Sequence, residues 1–184
     1  MHRLLSAGVL SALLCAAPAL ADVGKKNGEI GFDFGATKFD SGVTEATGGR
    51  FVFRGGYHFT DLFELEGHVA SSTGTEDFFG LNLDTTLSTW FVDGVFNFHP
   101  GRKTVVPYVL VGVGSANGKQ ELDGVTVVDE NGSAYQVAVG SRFFFGSNER
   151  AAFRVELSSI SESIGPDTST HTNLVGGFTW RMGH

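Results

Sequence analysis

The chain has 184 residues, a formal charge of −7 at pH 7, 26 glycines and a single cysteine. That length suits one domain, and the acidic balance leaves no basic stripe to meet phosphates, which excludes nucleic acid as a partner. Glycine, at roughly twice its average usage, falls inside apolar segments as well as between them, as strongly coiled sheets with closely approaching backbones require.

At the start, Met1-His2-Arg3 is a short basic stretch, Leu4 to Ala17 an apolar run, and Pro18-Ala19-Leu20-Ala21 an Ala-x-Ala cleavage site. Together these read as a secretory signal peptide over residues 1–21, leaving a mature domain over residues 22–184. Cys15 is not read as a lipidation signal, because Leu14 before it is bulky where a small residue is needed. Removing the signal deletes the only cysteine, so the mature chain has neither thiol nor disulfide chemistry.

The mature chain then alternates bulky apolar residues with polar or small ones. Eight strands are predicted, approximately Glu29 to Phe39, Arg50 to Phe59, Phe63 to Ser71, Leu87 to Phe98, Thr104 to Ala116, Ala134 to Phe145, Ala151 to Ile160 and His171 to Met182. Each is near the ~9–11 residues that cross an outer membrane when tilted, and their number is even. Connections after the second, fourth and sixth strands are short. The others are longer and rich in Gly, Ser, Thr, Asp and Asn, including Ser72 to Thr86 and Asn117 to Ser133. Short turns facing long loops are the signature of an outer-membrane barrel. No mature apolar run approaches the ~18 residues of a membrane helix, so a membrane location requires a closed barrel with no unpaired edge.

Several strands carry a resemblance. Phe63-Glu64-Leu65-Glu66, the run Val106 to Gly114, Phe153-Arg154-Val155-Glu156-Leu157 and the run Val175 to Gly183 look like the recurring strands of the small outer-membrane β-barrel family, the OmpA-like and OmpX-like eight-stranded barrels of Gram-negative bacteria. The resemblance covers nearly the whole mature chain. It implies an all-β, eight-stranded antiparallel up-and-down transmembrane barrel in the cell outer membrane, inserted by the barrel assembly machinery, in contact with outer-membrane lipid and lipopolysaccharide, and often without enzymatic activity. The family usually ends its last strand on an aromatic residue, where this chain has Met182.

Parity assigns the faces, because successive strand side chains point to opposite sides. Outward go Ile30, Phe32 and Phe34, then Phe51, Phe53, Tyr57 and Phe59, and their counterparts on later strands such as Trp90, Val111, Val139, Leu157 and Trp180, a band without charge. Inward go Asp33, Arg54, His58, Glu64, Glu66, His68, Asp93, Asn97, Tyr108, Arg142, Arg154, Glu156 and Arg181. Four arginines meet five acids, so the interior can nearly neutralise itself. An eight-stranded barrel is wide enough only for side chains to fill it, which makes this a polar core and not a broad pore.

Parity also constrains the turns. Inward residues are even-numbered on both sides of Thr60-Asp61-Leu62, which requires an odd loop and places His58 opposite Glu64, Gly56 opposite Glu66 and Arg54 opposite His68. Arg54 and Glu66 are then diagonal neighbours in an expected salt-bridge network. Across Pro100-Gly101 the loop must be even, and a two- or four-residue turn would set Phe98 opposite Lys103 and Asp93 opposite Tyr108, with a carboxylate–phenol hydrogen bond.

Paired acids Glu64 and Glu66 beside His58 and His68 offer raw material for acid–base chemistry, yet filling a barrel needs no catalysis. In the last loop His171, Ser169, Ser163, Glu162 and Asp167 supply a serine, a histidine and an acid, without a tight nucleophile motif around them. No catalytic, cofactor or metal residue is assigned. The acidic loop residues lack the spacing of a calcium loop. Phe78, Phe79, Leu81 and Leu83 either extend a hairpin, cover the barrel mouth or contact a partner, so an extracellular ligand bound through the loops joins the expected partners. The function expected is structural or surface-interacting. Its alternatives are a lipid-modifying enzyme, a narrow porin-like channel and a soluble ligand carrier, the last needing the inverse of the parity found.

Overall fold

A computed structural model describes residues 27–40, 45–78, 81–98, 104–122, 125–145, 150–164 and 167–182. The signal peptide expected over residues 1–21 lies outside them. Eight strands follow in order: β1 Asn27–Asp40, β2 Glu45–His58, β3 Phe63–Phe78, β4 Leu81–Asn97, β5 Val105–Leu122, β6 Val125–Phe145, β7 Ala151–Ile164 and β8 Asp167–Met182. Each pairs antiparallel with the next, and β1 pairs with β8, so the sheet closes with no free edge.

The apolar face lies outside. Val111 and Phe34 are each 59% exposed, whereas Glu64, Asp93, Arg142 and Arg154 are 0% exposed. Such an inversion of soluble-protein burial is stable only where the exterior meets lipid, and it excludes the soluble carrier. From Trp90 in β4 to Phe98 just after it, the outward residues are apolar or glycine. At ~3.3 Å per residue and ~40° of tilt that stretch rises about 20 Å, close to the apolar band of an outer-membrane barrel. Aromatic rings crowd the end of the short turns, with Phe59 near Phe63, Phe96 near Phe98, and Phe153 near Phe178.

The strands run longer than the alternation predicts. Beyond the belt, β3 and β4 stay paired up to Phe78 opposite Leu81, and β5 and β6 up to Leu122 opposite Val125. Thus the stretches expected as long loops, Ser72 to Thr86 and Asn117 to Ser133, are mostly hairpin. Backbone pairing needs no apolar face, and cross-strand polar pairs support it: Thr75 Oγ1 donates to Asp84 Oδ1 at 2.7 Å, and Asn117 Nδ2 to Asp129 Oδ1 at 3.0 Å.

Between β2 and β3, His58 faces Glu64, Gly56 faces Glu66 and Arg54 faces His68, the register that parity requires. The three-residue turn is held by Thr60, whose hydroxyl accepts from the backbone amides of Leu62 and Phe63. Between β4 and β5 the expected register is corrected. Asn97, not Asp93, faces Tyr108, and Asp93 faces Gly112. The amide of Phe98 donates to the carbonyl of Pro107, so the connection is longer than a tight turn, while Lys103 lies outside the described residues. Parity restricts a loop to an even count and leaves the count itself open, which is why the faces are right and the register is not.

Candidate functional site

The lumen is filled in layers. Near the short turns Val106, Phe144 and Ala152 form a small apolar cluster, with the Arg181 guanidinium 4.2 Å above the Phe144 ring. Towards the long hairpins Phe39, Leu87, Phe91 and Ile160 pack with Ala116 and Ala134 into a second apolar layer. Most of the charged residues lie between these layers, while Arg181 rests on Phe144 and His171 packs against Phe39.

Arg154 is the centre of that charge. Its Nε donates to the Tyr108 hydroxyl at 2.6 Å, its Nη1 to Glu66 at 2.7 Å, and its Nη2 to Glu156 at 2.6 Å and to Glu66 at 3.3 Å. The Tyr108 hydroxyl in turn donates a hydrogen bond to Glu156 Oε2 at 2.7 Å. Arg54 bonds Glu66 at 2.6 Å, approaches Glu156 at 3.4 Å and pairs with Asp33. Arg142 reaches Glu64 and Asn97, each at 2.8 Å, and Glu29 at 3.1 Å. The guanidinium carbons of Arg154 and Arg142 lie 4.6 and 4.9 Å from the Tyr108 ring centroid, within reach of a cation–π attraction to that ring. Such buried charges persist because they are paired, and most carry more than one partner. Glycines open the space for them: a Cβ at Gly140 would strike the Tyr108 hydroxyl, and one at Gly112 would strike the Asp93 carboxylate.

Asp93 does not meet Tyr108, correcting the expected carboxylate–phenol bond. It takes His68 Nδ1 at 2.7 Å and Gln136 Nε2 at 3.1 Å, while His68 stacks on Phe91. His58 sits beside Glu29 at 3.2 Å and Glu64 at 3.6 Å. Arg181 stays at the mouth, 3.3 Å from Glu29. Two members escape the sequence reading, although parity carries them inward with Asp33 and Arg54: Glu29, and Arg50, whose guanidinium bonds the hydroxyls of Ser72 at 2.8 Å and Thr89 at 3.4 Å. Counting Glu29 and Arg50, five arginines (50, 54, 142, 154, 181) balance five carboxylates (29, 33, 64, 66, 156), with Asp93 and His68 as a separate pair.

The serine, histidine and acid of the last loop are not assembled as a catalytic triad. His171 Nε2 contacts Glu162 at 2.8 Å, but its buried Nδ1 has no partner, so no hydroxyl occupies the position of an activated nucleophile. Ser163 is exposed on the opposite face and pairs with Thr168 at 3.3 Å.

Among curated proteins none matches this chain. Solved structures do. Neisserial surface protein A aligns with a TM-score of 0.72 at 13% identity, over 83% of this chain and 96% of that one. Ail, the attachment invasion locus protein of Yersinia pestis, aligns with a TM-score of 0.60 at 14% identity in its complex with the heparin analogue sucrose octasulfate, over 86% and 99% of the two chains. The outer membrane enzyme PagL aligns with a TM-score of 0.51 at 12% identity, over 82% and 97%. At these identities the likeness is one of fold. The family model of the outer membrane protein beta-barrel domain matches residues 7–181. Closed antiparallel topology, a lipid-facing apolar belt and this match over nearly all of the sequence together place the chain in the outer membrane protein beta-barrel family.

Proposed function

We propose that this protein is a non-enzymatic, non-conducting barrel that acts at the cell surface through the hairpins rising beyond its belt. The observation carrying this reading is the closed lumen: a dense ion-pair network between two apolar layers. The signal over residues 1–21 is cleaved, the barrel assembly machinery inserts residues 22–184, and the short turns face the periplasm. Lipid and lipopolysaccharide cover the belt.

The hairpins bind the partner. Asp84, Glu121, Asp129 and Glu130 line them against few cations, so a polyanion such as the heparin analogue bound by Ail fits this chain poorly. A basic or cation-bridged surface fits better. The PagL likeness raises the enzymatic alternative, which the unpartnered Nδ1 of His171 disfavours. The test is adherence of expressing cells to an epithelial monolayer, with the β5–β6 hairpin shortened between Asn117 and Asn131. Adherence falls while the barrel still folds. Unchanged adherence, or steady conductance of the purified protein in planar bilayers, overturns the reading.

A further inference from the structure

The most economical use of the ion-pair network is to hold the barrel closed, yet one corner is under-used. Near the start of β1, the end of β2 and the start of β3, Glu29, His58 and Glu64 converge at the short-turn mouth, and each offers a donor atom within 4.8 Å of the others. His58 Nε2 hydrogen-bonds Glu29 Oε2 at 3.2 Å and lies 3.6 Å from Glu64 Oε1. Three donors bound tetrahedrally at ~2.0–2.1 Å stand about 3.3 Å apart, so the observed spacings already bracket a coordination edge.

A second observation points the same way. Glu64 Oε1 is fully buried, has no hydrogen-bond partner, and is the oxygen turned towards His58. A Cβ at Gly56 would strike that same oxygen, so glycine keeps its space open. The other oxygen of Glu64 is already oriented by a 2.8 Å bond from Arg142 Nη2, while Arg142 Nε approaches Glu29 Oε1 at 3.1 Å without hydrogen-bonding it. The bond to Glu64 is the outer-shell support that fixes metal-binding carboxylates. The related cluster Glu66, His68 and Asp93 lacks these features, because Arg54 and Arg154 occupy Glu66 and a 2.7 Å hydrogen bond ties His68 to Asp93.

We propose that Glu29, His58 and Glu64 bind a divalent transition-metal cation of the zinc type at the periplasmic mouth of the lumen. One imidazole nitrogen with two carboxylates suits such an ion better than magnesium or calcium, which prefer all-oxygen shells. Arg181 guards the site. Its side chain is 30% exposed, touches Glu29 Oε2 at 3.3 Å and rests on Phe144, so it can swing into water and cede its electrostatic place to the cation.

The experiment titrates Co²⁺ into the full chain, folded in detergent and stripped with chelator, following visible d–d absorption and then displacement by Zn²⁺. One equivalent binds. His58→Gln and Glu64→Gln each weaken binding at least about tenfold, His68→Gln leaves it unchanged, and Arg181→Ala tightens it. Folding of every variant is checked by the change in gel migration on boiling. Should the ligand variants fail to fold, X-ray absorption of the Zn²⁺-loaded wild type reads an imidazole in the shell. The proposal is overturned by no saturable Co²⁺ binding, by binding that survives both ligand substitutions, by its loss in His68→Gln, or by an all-oxygen shell.

Discussion

Removing Glu66 should weaken the barrel more than any change to its outer face near the rims. Its carboxylate accepts from Arg54 Nη1 at 2.6 Å and from Arg154 Nη1 and Nη2 at 2.7 and 3.3 Å, and it is 1% exposed. Each charge-assisted bond contributes about 1.5–3 kcal/mol net, but simple addition overstates the loss, because Glu156 and Asp33 remain beside the two arginines. Breaking a buried pair by removing one partner typically costs about 3–5 kcal/mol, and the remaining acids set the expectation for Glu66→Ala near 3 kcal/mol. The charge balance described above becomes one unit positive. The assay is equilibrium urea unfolding in lipid vesicles, read by the fluorescence of Trp90 and Trp180, both lipid-facing. Replacing Arg54 and Glu66 together by apolar residues of similar volume should recover part of the loss. A cost below about 1 kcal/mol for Glu66→Ala would refute the buried network.

Arg at Val139, within the belt, should cost about 2–4 kcal/mol, and Arg at Ser141, nearer the short-turn rim, distinctly less; equal costs in vesicle unfolding would contradict the depth assignment. Tyr108→Phe removes the hydroxyl shared by Arg154 and Glu156 and should cost about 1.5–3 kcal/mol in the same assay, with no visible change in the fold. On the β5–β6 hairpin, the 2.5 Å bond from Lys119 holds the Glu121 carboxyl below its ordinary value. A depressed carboxylate adds local stability above its unfolded pKa and loses it as pH falls, so Glu121 should titrate higher in Lys119→Ala when followed by carbon-detected NMR.

What the sequence discloses follows from its periodicity. Alternation of Phe51, Phe53, Tyr57 and Phe59 with Val52, Arg54 and His58 declares both faces at once, and a three-residue turn then leaves one register for β2 and β3. The β4–β5 register was not legible, since parity cannot distinguish a four-residue loop from a longer one. Beyond the belt the outward positions turn to Ser71, Thr73, Ser88, Ser133 and Thr172, and the apolar contrast that marks a strand disappears although the pairing continues. Glu29 was missed for a related reason: it sits at the frayed-looking start of β1, where Asn27 and Gly28 hide the alternation, yet it joins His58, Arg142 and Arg181.

The most direct test of a lipid-embedded barrel closed around a charged core is membrane fractionation followed by electrophoresis with and without boiling. The protein should stay with the outer membrane through an alkaline wash, leave it only in detergent, and migrate differently before and after boiling. Recovery in the soluble fraction, or identical migration in both lanes, would contradict the account.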